Sequence, residues 1–244
     1  MYVNTEDDGI APEILAYGFY EEYETELFKK LIKPSMVVLD IGANIGYYSL
    51  IAAKLVGARG KVYAFEPDPL NYQLLLANIE ANHFTNIIPI QRIVSNKSGK
   101  TKLFKDRGSW GCHTLCERNI LTAGNGYLEI EAITLDEFFK DKRDSKVDFI
   151  KMDVQGAEGL ILERSFEILR HNDPIILMEF WPNGLRNLKA DPLRVLQDLH
   201  HLNYSIKVIV HDVAQEIGGL EHIVAIAETT KGYVNLLLEK RLSF

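Results

Sequence analysis

Between Val37 and Tyr48 the chain reads Val37-Val38-Leu39-Asp40-Ile41-Gly42-Ala43-Asn44-Ile45-Gly46-Tyr47-Tyr48. Its first five residues are a short, nearly continuous apolar run, the pattern of a strand buried on both faces. Gly42 to Gly46 then form a tight turn, and Tyr47 to Val56 read as a helix ending at Gly57. A glycine-bearing turn between a buried strand and a helix is how open α/β sheets build nucleotide sites. The glycines let the backbone bend sharply and approach a ligand, and unpaired amides at the helix start favour negative charge. The turn is not the dinucleotide fingerprint, because G-x-G-x-x-G needs glycines where Asn44 and Tyr47 stand. Asn44 tolerates a left-handed conformation better than most residues do.

Working outward, Lys61 to Phe65 is a second strand that closes on Phe65-Glu66-Pro67-Asp68. Glu66 lies a little beyond the spacing at which an acidic residue meets ribose hydroxyls in such folds. Asp40 and Glu66 could each be helix caps that bind nothing, but their placement at matched strand ends favours a shared ligand. Leu70 to Asn82 reads as a helix and Ile87 to Ile93 as a third strand. From Asn96 to about Leu135 the rhythm breaks into an insertion with one short strand at Thr101 to Phe104. Beyond it, Thr134 caps a short helix through Phe139, and Val147 to Met152 is a buried strand ending in Asp153. A helix over 157–169, a strand over 174–180, a helix over 192–202 and strands at 204–210 and 233–238 complete the pattern, with a polar link between the last two. Upstream, Pro12 to Ile32 reads as amphipathic helices interrupted near Gly18 and stopped at Lys33-Pro34. The alternation predicts a doubly wound α/β fold around a mostly parallel sheet, in one domain: an N-terminal helical segment over 1–35 and the sheet-bearing part over 36–244.

Composition sets further bounds. The 244 residues are 47% hydrophobic and 25% charged, as in an ordinary globular protein. With 27 basic against 34 acidic side chains the net charge is -7, which repels a phosphate backbone, so no nucleic-acid partner is expected. Two cysteines build no disulfide framework, the N-terminus is acidic, and no apolar run reaches the roughly 20 residues of a membrane span. The expected location is cytoplasmic.

At this point the residues carry a resemblance. Asp40-x-Gly42-x-Asn44-x-Gly46 followed by a strand ending in Glu66-Pro67 resembles the class I S-adenosylmethionine-dependent methyltransferases. More narrowly, the chain is similar to the FkbM-type methyltransferases, through Gly18-Phe19-Tyr20-Glu21, Leu39 to Tyr48, Phe65-Glu66-Pro67, Val94 to Gly99, Thr134-Leu135-Asp136 and Ile150 to Glu158. The resemblance implies a Rossmann-like sheet of seven strands with the last antiparallel, and S-adenosylmethionine as donor with S-adenosylhomocysteine as product. By position it implies that Asp40, Gly42, Asn44, Gly46 and Tyr47 hold the methionine end and Glu66 with Pro67 the ribose. Arg92, Ile93 and Asn96 would flank the adenine, and Glu21 and Asp153 would complete the donor site. The family more often has Glu where Gln155 stands and an acidic residue where Asn96 stands, so a carboxylate role at those places is in doubt.

Transfer to a hydroxyl needs a base. Asp153, on the same sheet edge as Asp40 and Glu66, is the first candidate; it could take the proton, orient the acceptor or hold a divalent ion, and a helix-cap role is the competing reading. His113 in Gly108-Ser109-Trp110-Gly111-Cys112-His113 is a second candidate base, since its unperturbed pKa lies near neutrality. Glu179, with Trp181 beside it, suits a sugar-like acceptor. Cys112-His113-x-x-Cys116 lacks a second ligand pair, so no metal site is expected there. The leading expectation is an O-methyltransferase acting on a small hydroxylated acceptor: a sugar, a glycolipid headgroup or a secondary metabolite. A nicotinamide-dependent oxidoreductase and a non-catalytic S-adenosylmethionine-binding protein are the alternatives, separated by which nucleotide binds and by whether turnover follows. The N-terminal helices are read as a lid or as a homodimer contact.

Overall fold

The chain opens on two short helices, α1 (Ile10–Tyr17) and α2 (Glu22–Leu31), separated where Gly18 takes a left-handed φ of 80°. The computed structural model describes residues 1–122, 124–141, 146–210 and 213–241. Strand and helix then alternate: β1 (Val37–Ile41), α3 (Tyr47–Val56), β2 (Lys61–Phe65), α4 (Pro69–Ala81) and β3 (Ile87–Ile90). Helix α4 starts where it does because the Asp68 carboxylate accepts from the amides of Leu70 and Asn71 while Pro69 presets the first turn.

After β3 the expected single strand over 87–93 divides. β4 (Ile93–Val94) leaves the main sheet and pairs with β6 (Gly124–Ile133), which also pairs with β5 (Gly99–Asp106). The insertion is therefore a separate three-stranded sheet, not an irregular loop with one short strand. α5 (Leu135–Phe139), capped by Thr134, leads into β7 (Phe149–Met152). The expected helix over 157–169 is two, α6 (Glu158–Leu162) and α7 (Phe166–His171). β8 (Ile175–Phe180), α8 (Pro182–Asn187), α9 (Pro192–His201) and β9 (Tyr204–Val210) follow. The expected polar link holds β10 (Val213–Glu216) and α10 (Leu220–Thr229) before β11 (Val234–Lys240).

The main sheet runs β10-β9-β11-β8-β7-β1-β2-β3. Seven of these strands match the expectation, with β11 antiparallel to both neighbours; β10 hairpins onto β9 and adds an eighth at the edge. Alternate residues feed opposite faces: Leu39 and Ile41 join a core with Ile150, Met152 and Ile161, and Val38 joins one with Phe28, Ala52 and Phe149. Phe28 of α2, fully buried, meets Phe149 and Tyr48 edge-on at centroid distances of 5.3 and 5.0 Å. That burial contributes about 2–3 kcal/mol and ties the N-terminal helices to the sheet. No described helix is long and apolar enough to cross a membrane.

Strand β1 lies between β2 and β7, parallel to both, with Asp40 opposite Ala64 and Lys151 and Ile41 opposite Phe65 and Met152. Chain order reverses here, so the connections leave on opposite faces and open a crevice at the carboxyl ends. Gly42 sits at its base with φ of 86°, and a Cβ on it would lie 1.9 Å from the Asp153 carbonyl oxygen. Gly42→Ala should therefore destabilise the fold by about 3 kcal/mol or more in urea unfolding, the combined cost of the left-handed backbone and the clash. A loss below about 1 kcal/mol would show that the strand ends are not packed this tightly.

Candidate active site

The crevice is a cleft of about 1070 Å³, counted out to its mouth. The β1 turn, Glu66-Pro67, Arg92 to Val94, the segment from Ser109 to Leu115, and Lys151 and Asp153 wall it. On one side, Glu66 is buried and its two oxygens accept from the amides of Asn44 and Asp68, each at 2.8 Å. Burial drives its pKa up to about 8, against the two amides that pull it down. Asp40 accepts from the Ser49 hydroxyl; burial raises it to about 6, while Ser49 and Lys151 oppose the rise.

The turn differs from expectation in one respect. The amides of Gly42 and Ala43 donate to the Phe65 carbonyl, and that of Asn44 to Glu66, so they are not open to an anion. What the turn offers is close backbone approach, together with the buried and unpartnered Oδ1 of Asn44, whose φ is 50°. An acceptor oxygen beside a buried carboxyl fits a ligand that donates hydrogen bonds, as ribose hydroxyls do. The residues present thus fit a nucleoside.

On the other side, Asp153 ends β7 with its side chain 26% exposed. Its Oδ2 is 3.5 Å from Lys151 Nζ, and its Oδ1 accepts from Gln155 Nε2 at 3.0 Å. The same Gln155 nitrogen lies 3.4 Å from Glu179 Oε1. Lys151 is buried, with the Tyr48 ring centroid 4.9 Å from Nζ. Burial alone would lower its pKa, but Asp153, Glu21, Asp40 and Glu179 outweigh it and hold Lys151 above the ordinary value. Glu21 accepts from the Tyr48 hydroxyl at 2.8 Å; burial raises it to about 7 and Lys151 opposes. Glu179 is held well above the carboxylate range by burial first, then by Asp153 and Glu158.

Of the residues expected from the sequence, Asp40, Gly42, Asn44, Tyr47, Glu66, Pro67, Arg92, Ile93, His113 and Asp153 line the cleft together. Gly46 lies behind it, where an added Cβ would sit 2.6 Å from a Leu75 methyl. Glu21 and Glu179 adjoin the cleft through Lys151 and Gln155 rather than walling it. Asn96 does not line the cleft beside Arg92 and Ile93: β4 carries the chain away, and the Asn96 amide donates to Glu163 at 2.8 Å. His113 is placed against a role as base. Its Nδ1 accepts from the Asp106 amide at 3.2 Å, which leaves the hydrogen on Nε2, 3.5 Å from Asp68 Oδ2, and no lone pair for an acceptor. Burial lowers its pKa further. Among the described residues no group of His, Cys, Asp and Glu is arranged to hold a metal ion. Sequence reading missed Lys151, although a lysine inside the run Phe149-Ile150-Lys151-Met152 signals a buried cation in need of carboxylates.

The raised groups make the fold sensitive to alkali. Glu21, Asp40, Glu66 and Glu158 have folded pKa values of about 7, 6, 8 and 7 against ordinary values of 4.5, 3.8, 4.5 and 4.5. Between about pH 4 and 8 the unfolded chain therefore holds fewer protons than the folded one, and stability falls as pH rises. Urea unfolding of the ligand-free chain should lose about 2 kcal/mol or more from pH 5 to pH 8.5; constant or rising stability would contradict these burial costs.

The sequence profile of the methyltransferase FkbM domain matches residues 40–206. Methyltransferase sdnD of Sordaria araneosa is 28% identical over 181 residues, covering 61% of this chain and 68% of that protein. Ribosomal RNA large subunit methyltransferase E of Alkalilimnicola ehrlichii is 35% identical over 71 residues, which cover 29% of this chain and 34% of that protein. Among solved structures, methyltransferase FkbM from Methylobacillus flagellatus KT shares the fold with a TM-score of 0.52 at 14% identity, covering 94% of this chain and 59% of that one.

Proposed function

The chain belongs to the FkbM methyltransferases, S-adenosylmethionine-dependent enzymes, and from that premise we propose that it methylates a hydroxyl of a small polar acceptor such as a sugar, a glycolipid headgroup or a secondary metabolite. One observation carries the reading: a partly exposed carboxylate, Asp153, faces the cleft while its own carbonyl packs against the β1 turn. That supports reading Asp153 as the proton acceptor beside the donor's reactive end.

S-adenosylmethionine supplies a methyl group already activated by its sulfonium. Glu66 would accept from the ribose hydroxyls, the turn from Asp40 to Asn44 would receive the methionine end, and Arg92 and Ile93 would flank the adenine. Asp153 accepts the acceptor's hydroxyl proton as the oxygen becomes nucleophilic. Proximity does the rest, since both partners are held in one cleft. Lys151 supplies positive charge beside Asp153, so the reading needs no divalent ion. An RNA acceptor is disfavoured by the net charge of -7, which repels phosphates. The ribosomal relative matches over 71 residues only, so its acceptor does not transfer to this chain.

Glu66→Ala should weaken binding of S-adenosylhomocysteine by about 1–3 kcal/mol, the scale of lost hydrogen bonds to a charged group; unchanged affinity by calorimetry would remove the ribose assignment. Asp153→Asn should abolish transfer of labelled methyl to a panel of sugars, glycolipids and phenols, with product affinity kept within about twofold. Methylation of ribosomal RNA with none of the small acceptors labelled would overturn the reading.

A further inference from the structure

A carboxylate works as a base only while it is ionised and aimed, and neither condition comes free beside other buried carboxyls. Asp153 has Glu21, Asp40, Glu158 and Glu179 around it, approaching from the residue before α2 and from β1, α6 and β8. The phenols of Tyr20 and Tyr233 and the thiol of Cys112 also face it, and burial raises all three, so they are neutral. Against these stands the Lys151 ammonium at Oδ2, while the Gln155 amide occupies Oδ1. An amide suits position 155, because a nitrogen there can donate to Asp153 and Glu179 together, whereas a carboxylate would repel Asp153.

Gln155 itself is held from an unexpected direction. It adopts a left-handed φ of 52°, followed by Gly156 at 92°, where a Cβ would lie 2.7 Å from the Gly184 backbone. Its carbonyl accepts from Thr114 Oγ1 at 3.0 Å and Asn119 Nδ2 at 3.2 Å. Both donors belong to the segment between β5 and β6, and both are 1% exposed. Thr114 is fixed in turn by paired backbone bonds with Phe104 of β5, and Asn119 by contacts to the Gly184 carbonyl and the Asn187 amide.

We propose that Lys151 and Gln155 are positioning residues that clamp the two oxygens of Asp153, and that Thr114 and Asn119 fix Gln155 so that the segment between β5 and β6 sets the aim of the base. Lys151 provides charge and Gln155 provides direction. Each oxygen spends one lone pair on the clamp and keeps the other for the acceptor hydroxyl. The small sheet is then part of the catalytic machinery's support rather than an ornament on the fold. The assignment rests on Asp153 being the base.

The test follows the side-chain carboxyl carbon of Asp153 by 13C NMR in the full chain with S-adenosylhomocysteine bound. Lys151→Met and Gln155→Glu should each move its titration midpoint upward by about one pH unit or more, and Lys151→Arg should restore it. Thr114→Val, a milder change at a distance from Asp153, should move it in the same direction by less. Affinity for S-adenosylhomocysteine within about twofold of the parent certifies a folded cleft in each variant. Midpoints in Lys151→Met and Gln155→Glu that coincide with the parent would overturn the clamp. Methyl transfer surviving in Asp153→Asn would instead sink the base reading and leave the titration result standing.

Discussion

Gly42 and the carbonyl of Asp153 approach so closely that no side chain fits between them, and the rest of the site follows from that approach. The two residues are far apart in the chain, yet β1 and β7 are neighbours because the order of strands reverses between them. Reversal sends the connecting helices to opposite faces and leaves the strand ends uncovered. The β1 turn and the Asp153 carboxylate then line one cleft. With any larger residue at position 42 a Cβ would lie 1.9 Å from that carbonyl oxygen, and the two strand ends would have to move apart.

The cleft is costly to maintain. Carboxyls withdrawn from water are pushed toward the neutral form, and burial raises Glu66, Asp40, Glu21 and Glu158 at the expense of stability. Such groups gain most from a ligand that brings hydrogen-bond donors, because its arrival replaces the water they lost. Lys151 works differently. Surrounded by acids it keeps its charge, and it balances the partly exposed Asp153 carboxylate. Burial thus separates two kinds of acid in one site: those withdrawn from water and the partly exposed Asp153.

The donor half was legible because its signals are local. A buried strand, a glycine turn and a Glu-Pro at the next strand end fall within 30 residues, and each has a backbone cause. The acceptor half was less so. Lys151 sat in plain view inside an apolar strand, but its meaning depends on Glu21 and Glu179, which reach it only through the sheet order. His113 looked like a base by type, and only the Asp106 amide on its Nδ1 shows otherwise. The β5–β6 hairpin hid behind its glycines and asparagines, although Leu128-Glu129-Ile130-Glu131 alternates as a half-buried strand should. In α10, Leu220, Ile223, Val224 and Ala227 held a helical period that the polar residues around them masked.

Proton exchange on binding of S-adenosylhomocysteine probes the central claim most directly. Burial raises Glu66 to about 8, and on this account it gives up its proton as ribose hydroxyls donate to it. Calorimetry at pH 7 in two buffers of different ionisation enthalpy should report release of nearly one proton, absent in Glu66→Gln. Binding without proton release, or release that persists in Glu66→Gln, would contradict the account.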